Sequence, residues 1–263
     1  MIARYDDDGT LILVTQNDHA KLAGVLAAHW GNLEFEKPVP YHSVVRAAML
    51  HDFGWSRYET QPHFEEATGK TPSYRQVRND GPQLDALQWG LDWVAGIDPY
   101  SGVLVSKHRT GLWQGRYGVI TNPPAIERGT PPPDIQRFIK DNESRQENDE
   151  SGIDPKELKV NYWLLQVWDY LSLHFCTEKT PGNFVIDPVP RGYSDDCGVR
   201  LELIRASGNR ITVAPFPFDR GALEISFVYR RIDNAQFRSA KEFLSAYYGA
   251  PLQVAEFELS SQV

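Results

Sequence analysis

The chain has 263 residues, of which 41% are hydrophobic and 24% charged, with a formal net charge of −8. This composition is typical of globular proteins, and it excludes a wholly disordered chain. The acidic balance argues against a broad nucleic-acid-binding surface or an anionic-membrane surface.

The first half of the chain predicts a helical body. A short hairpin over residues 2–14, turning at Asp6–Gly9, comes first. Helices follow where apolar residues recur at the helical spacing, namely at Asn17–Trp30, Ser43–Phe53, Leu84–Ala95, Ser101–Arg109 and Pro155–Phe175. Residues 56–82 form a long polar connection, which suggests a lid or a pocket rim.

Residues 121–154 differ in composition from the rest of the helical half. They hold five prolines followed by the charged run Lys140–Glu150. We therefore expect an exposed excursion that contains one helix near Asp134–Arg145.

After Gly182 the apolar period changes from that of a helix to that of a strand. Strands are expected around residues 199–203, 211–213, 223–229 and 253–259, with a helix at Asn234–Tyr248. The predicted fold is mainly α. A helical bundle over residues 15–180 carries an appended antiparallel β-sheet subdomain over residues 183–262, which the N-terminal hairpin at 1–14 can join.

Histidines and aspartates occupy positions where the helices should face the core. His19, His51 and His108 each lie within an apolar helical stripe, and Asp52 falls beside His51. Asp169 lies in the middle of the most apolar helix. A buried carboxylate needs a cation or firm hydrogen bonds, and imidazole with carboxylate suits Mn, Fe, Ni or Zn. Five such placements together favour a divalent metal site over five independent core residues.

The order of these residues resembles that of the HD-domain superfamily of metal-dependent phosphohydrolases. The resemblance covers roughly residues 15–176. It rests on His19, on the His51-Asp52 pair in the context AAMLHDFGW, on His108, and on Asp169 in VWDYL. The whole chain is also similar to a bacterial family described only as a domain of unknown function.

The resemblance implies an HD-domain-like bundle and a set of site residues. His19, His51, Asp52 and Asp169 are the implied metal ligands, and His108 binds a second metal or the substrate phosphate. Asp52 and His108 are the implied catalytic residues. The implied cofactor is one or two divalent ions, with Mn, Fe, Ni, Co or Zn as candidates and Mg as a further one.

The chain departs from the family pattern in two places. Many hydrolytic members carry Lys after the HD-x-Gly step, whereas this chain has Trp55, a substrate-binding candidate that can donate only one indole hydrogen bond. We expect Lys107, Arg109 or Arg116 to supply the positive charge for a substrate phosphate instead, with Arg57 as a further candidate. The middle section of the motif is reduced to His108, with His63 as a candidate replacement, which favours a mononuclear centre.

The leading expectation is a phosphohydrolase that acts on a small phosphorylated or nucleotide-like substrate through a metal-activated water. The alternatives are an HD-type iron oxygenase, and a degenerate HD domain that binds a ligand or partner without catalysis. Iron-specific, dioxygen-dependent activity would identify the oxygenase. An absence of bound metal would identify the non-catalytic domain.

The sequence also bears on location and assembly. No apolar run approaches a membrane span, and no signal peptide is visible in MIARYDDDG. The two cysteines, Cys176 and Cys197, suit a reducing compartment. We therefore expect a cytoplasmic protein with no membrane partner, and the sequence leaves open whether it forms a homo-oligomer.

Overall fold

The computed structural model describes residues 1–77, 81–115, 130–194 and 198–261. In chain order its elements are β1 (Ile2–Tyr5), β2 (Leu11–Val14), α1 (Gln16–Ala28), α2 (Tyr41–Leu50), α3 (Trp55–Tyr58), α4 (Gly81–Ile97), α5 (Pro99–Trp113), α6 (Pro133–Asp149), α7 (Pro155–Thr177), β3 (Phe184–Val189), β4 (Val199–Ser207), β5 (Arg210–Ala214), β6 (Ala222–Ile232), α8 (Ala240–Gly249) and β7 (Leu252–Ser260).

The strands form a curled seven-stranded sheet in the order β1-β2-β6-β7-β5-β4-β3. The N-terminal hairpin joins the C-terminal strands, because β2 pairs antiparallel with β6 and Leu11 lies opposite Ile232. β5 and β7 run parallel, with Ile211 opposite Leu259, so the sheet is mixed. Strands from both ends of the chain therefore share one sheet.

The sheet packs directly on the helices and forms a continuous core with them. α1 packs against α2, α7 and strand β6, while α7 also packs against β1 and β3. Trp30, at the end of α1, meets Trp168 of α7 edge to face at 5.8 Å between ring centroids. A smaller cluster, centred on Phe243 of α8, covers the hairpin end of the sheet.

The predicted mainly-α fold with an appended antiparallel sheet is wrong. About 45% of the described residues are helical, and the sheet is a full mixed layer, so the architecture is closer to α/β than to a helical bundle. The local alternation of residues predicted every described strand except β3. It could not reveal that β2 crosses to β6 or that β5 pairs with β7, because those pairings join residues far apart in the chain.

The segment expected to be an exposed excursion also differs from its prediction. Residues 116–129 lie outside the described residues. α6 has a buried face, formed by Ile135, Phe138, Ile139, Asn142 and Gln146. These positions follow the helical period and pack against α5. The helix expected near Asp134–Arg145 is therefore present as α6, but the charges of this segment concealed its buried face.

Among the described residues, no helix combines the length and apolar character needed to cross a bilayer. The longest, α7, has 23 residues and is interrupted by buried polar side chains, including Asn161, Gln166 and Asp169.

Candidate metal centre

Five histidine and aspartate side chains meet inside the helical layer. His19 comes from α1, His51 and Asp52 from the turn after α2, His108 from α5, and Asp169 from α7. None is more than 5% exposed. Two groups of ligand atoms each lie within 4.8 Å of one another: His19 with His51 and Asp169, and His51 with Asp52 and His108. The expectation of buried histidines and aspartates that could hold a metal ion is confirmed.

Close helix packing explains the glycine that follows the His51-Asp52 pair. A Cβ atom on Gly54 would lie 2.7 Å from Leu87 Cα in α4, and one on Gly90 of α4 would lie 2.5 Å from Gly54 Cα. Both distances are too short for any side chain, so the two glycines let α4 approach the turn. This packing fixes the turn that carries His51 and Asp52.

Short contacts link the members of the cluster. His19 Nε2 lies 3.1 Å from Asp52 Oδ2, and His51 Nε2 lies 3.3 Å from Asp169 Oδ1. The rings of His51 and His108 meet edge to face, with their centroids 4.7 Å apart.

Neighbouring hydrogen bonds orient two of the histidines. Ser172 Oγ donates to the Asp169 carbonyl at 2.9 Å, so this hydroxyl accepts at its 2.9 Å contact with His19 Nδ1. His51 Nδ1 donates to the Ala48 carbonyl at 2.8 Å. Because each Nδ1 is used as a donor, His19 and His51 both direct Nε2 into the cluster, the arrangement that holds a histidine ready to bind a metal.

The charges of the cluster depend strongly on one another. Burial alone would lower the pKa of His51, but Asp169 and Asp52 raise it to about 9, so a proton occupies His51 when no cation is bound. Burial would raise the pKa of both aspartates, and the histidines lower it instead, to about 2 for Asp169 and further for Asp52. Burial and the charge of His51 lower the pKa of His108 to about 3, which leaves this ring neutral.

Asp52 holds a buried oxygen that suits a cation. Its Oδ2 accepts a hydrogen bond from Gln16 Nε2, whereas Oδ1 has no hydrogen-bond partner among the described residues. The guanidinium of Arg109 lies near this oxygen, with its Nη1 3.9 Å away. Imidazole nitrogens with carboxylate oxygens form the donor set of Mn, Fe, Co, Ni and Zn sites. The residues therefore fit a divalent transition metal.

The substrate-binding candidates fall in different places. Arg109 reaches the centre and lies over the Trp113 ring at 4.7 Å. Lys107 is not brought there, because its Nζ pairs with Glu150 Oε1 at 2.6 Å beside α6. Arg116 lies outside the described residues. Trp55 is buried, and its indole N–H has no hydrogen-bond partner in the part of the chain that the structure describes.

The two minor candidates lie elsewhere. Arg57 is positioned over the ring of Trp89, at 5.6 Å from its centroid. His63 lines a cavity beside β1.

Sequence analysis missed two residues of the centre. Gln16 Nε2 donates to Asp52 Oδ2 at 3.2 Å, and its buried Oε1 has no partner within the described ranges. Ser172 contacts His19 as described above. Gln16 lies three residues before His19 and Ser172 three after Asp169, so each shares a helix face with a ligand. A polar residue one helical turn from a candidate ligand was the sequence feature that could have identified each of them.

A family model described as "Protein of unknown function (DUF3891)" matches residues 1–234. This range includes all five residues of the cluster and continues through β6, past the boundary expected near residue 180. The similarity to a domain of unknown function is thus confirmed. No curated protein and no solved structure matches the chain.

Proposed function

The chain belongs to the DUF3891 family, and we propose that it is a metal-dependent hydrolase of small phosphorylated compounds. The observation that carries the proposal is the buried cluster itself, in particular Asp52 Oδ1, a charged oxygen without a hydrogen bond among the described residues. A buried carboxylate oxygen left in that state is costly, and a bound cation together with its water would remove the cost. The ligand order also resembles that of HD-superfamily phosphohydrolases.

His19, His51, Asp52 and Asp169 would hold the ion, with His108 at its edge. When bound, a divalent ion lowers the pKa of a coordinated water toward neutrality and polarises a phosphoryl oxygen. The remaining work falls to the side chains around it.

Asp52 and Gln16 are placed to hold the attacking water. Asp52 Oδ1 and Gln16 Oε1 are buried acceptors with no donor among the described residues, and the Gln16 amide fixes Asp52 through Oδ2. The water oxygen bonds to phosphorus as the ester P–O bond breaks, and one proton of the water passes by way of Asp52 Oδ1 to the departing oxygen, which leaves as the alcohol. Arg109, 3.9 Å from that oxygen, offsets the charge of the phosphoryl group.

The test combines metal analysis with a substrate panel. Purified protein, loaded in turn with Mn²⁺, Ni²⁺, Co²⁺ and Mg²⁺, is assayed for phosphate release from nucleotides and generic phosphoesters. We expect Asp52→Asn to lose bound metal and at least about 100-fold in rate, because ligand and water acceptor are lost together. Circular dichroism checks that the variant is folded.

Asp134→Asn, at an exposed site on α6, is the matched control and should retain metal and rate. If Asp52→Asn binds metal and hydrolyses phosphoesters as fast as the parent, the proposal is wrong. Wild-type protein that binds no metal would instead favour a non-catalytic binding role. Iron-specific oxygen consumption without phosphate release would favour an oxygenase.

A further inference from the structure

A cavity of about 860 Å³ lies between strand β1 and the connection that follows α3. Its lining includes Ala3 and Tyr5 of β1, Tyr58 of α3, and several residues between 63 and 77. This volume is within the range of pockets that bind small organic ligands.

Positive charge predominates in this cavity. Among the described residues, Lys70 and Arg75 line it together with a single carboxylate, that of Glu65, and with His63. Lys70 Nζ lies over the Tyr5 ring at 5.2 Å. In a chain of net charge −8, a cavity with this balance selects anionic ligands.

Contacts between neighbouring residues connect the wall of the cavity to the candidate metal centre. The Tyr74 N–H donates to the Met1 carbonyl at 2.7 Å, and the Met1 amino group pairs with Glu59. Glu59 Oε2 in turn accepts the backbone N–H of Gln16 at 3.0 Å.

Tyr58 ends the short helix α3, which directly follows the turn of His51 and Asp52. On the other side, Arg75 Nε donates to the Tyr74 hydroxyl at 2.9 Å.

Tyr74 itself is close to the centre. Burial raises the pKa of Tyr74 to about 12, and the negative charges of Asp169 and Asp52 contribute. Through Tyr74, Arg75 is therefore linked to the contacts that lead to Gln16 and Asp52.

We propose that this cavity is the specificity pocket of the hydrolase, and that Lys70 and Arg75 bind a second anionic group of the substrate. The inference rests on the proposed function, in which the first phosphoryl group is attacked at the centre. It identifies the substrates as small phosphorylated compounds with a further negative charge, of the nucleoside diphosphate kind. The Arg75 guanidinium donates one N–H to Tyr74, so four of its N–H groups remain for such a group.

The experiment compares two substrates in the metal-loaded enzyme. ADP carries the second anionic group, and p-nitrophenyl phosphate lacks it. We expect Lys70→Gln and Arg75→Gln each to raise KM for ADP about tenfold, the effect of one charge-assisted hydrogen bond. KM for p-nitrophenyl phosphate should change less than about twofold, because that compound has no group for these side chains to bind.

Binding to metal-free protein provides a readout that does not depend on hydrolysis. Calorimetric titration with ADP and with pyrophosphate should show the same loss of affinity in both variants. Arg210→Gln, which removes an exposed arginine on β5, is the matched control and should leave both readouts unchanged.

The outcomes separate the two proposals. Unchanged ADP and pyrophosphate affinity in both variants, or no binding by the wild type, overturns the specificity pocket. Binding that both variants weaken, without phosphate release from any compound, supports the pocket as an anion site and overturns the hydrolase proposal.

Discussion

At the scale of the residue, the centre depends on side chains that do not themselves belong to the cluster. The single hydroxyl proton of Ser172 is committed to the Asp169 carbonyl, so Ser172 can only accept from His19. The hydroxyl thereby sets the tautomer of His19 and holds the ring in place.

The Ser172→Ala variant should bind metal about 10- to 100-fold more weakly, because outer hydrogen bonds to a ligating histidine contribute that much to affinity. Metal titration followed by calorimetry measures the change. Ser144→Ala, at an exposed position on α6, should bind as tightly as the parent. Equal affinity in Ser172→Ala would show that His19 does not depend on this hydroxyl or does not bind the ion.

Sequence alone could identify the five members of the cluster, because helical periodicity is a local property. It could not choose between Lys107 and Arg109. Both flank His108 and lie on opposite sides of it around α5, so only one of them faces Asp52. The choice depends on where α2 and α6 lie, and α6 supplies the neighbour of Lys107.

At the scale of the element, α7 connects the centre to the sheet. Asp169 and Ser172 lie in its middle, and His174 lies near its end. His174 Nε2 accepts the backbone N–H of Gly182 at 3.0 Å, and its ring stacks on Phe184 of β3 at 4.2 Å. Burial lowers the pKa of His174 to about 4.

This depressed pKa predicts a pH-dependent stability. In the unfolded chain His174 binds a proton near pH 6.5, and in the folded chain it does so only near pH 4. The contribution of the neutral ring to the free energy of unfolding is therefore complete above pH 6.5, and it declines as the pH falls toward 4. Between pH 7 and pH 5, the free energy of unfolding should fall by about 1 kcal/mol more in the parent than in His174→Gln.

Urea denaturation of both proteins in the presence of a chelator measures this difference. The chelator removes any contribution of bound metal, and the other titrating groups are the same in the two proteins. Parallel pH profiles would contradict the assignment.

The elements differed in how well sequence predicted them. α7 was predicted within two residues, from Pro155–Phe175 to Pro155–Thr177, because its apolar residues are nearly continuous. The strand pairings β2–β6 and β5–β7 were not predictable, because strand alternation says which face is buried and not which strand is the neighbour. The fold class was therefore missed although most elements were found.

At the scale of the whole molecule, the centre joins four separate parts of the chain. Its side chains come from α1, the turn after α2, α5 and α7, and α1 and α7 also carry the sheet. An ion bound there would hold the helical layer and the sheet together.

Metal should therefore stabilise the entire protein. At 100 times its Kd, an ion that binds only the folded state adds about 2.7 kcal/mol. For a chain of this size, that corresponds to a rise in Tm of roughly 5–10 °C. Differential scanning calorimetry with increasing Mn²⁺ or Ni²⁺, and after chelation, measures the shift. Asp52→Asn should show no shift, and a parent Tm that no divalent ion changes would contradict a metal centre.

The spread of the ligands along the chain also has a consequence for biosynthesis. The set opens at His19 and closes at Asp169, after roughly two thirds of the 263 residues. A nascent polypeptide that has left the ribosome only as far as α5 presents three imidazoles and one carboxylate on helices that lack their partner α7. Capture of an ion by the full set would therefore have to wait until α7 has been made, and an occupied centre would show that α1, α2, α5 and α7 had already assembled.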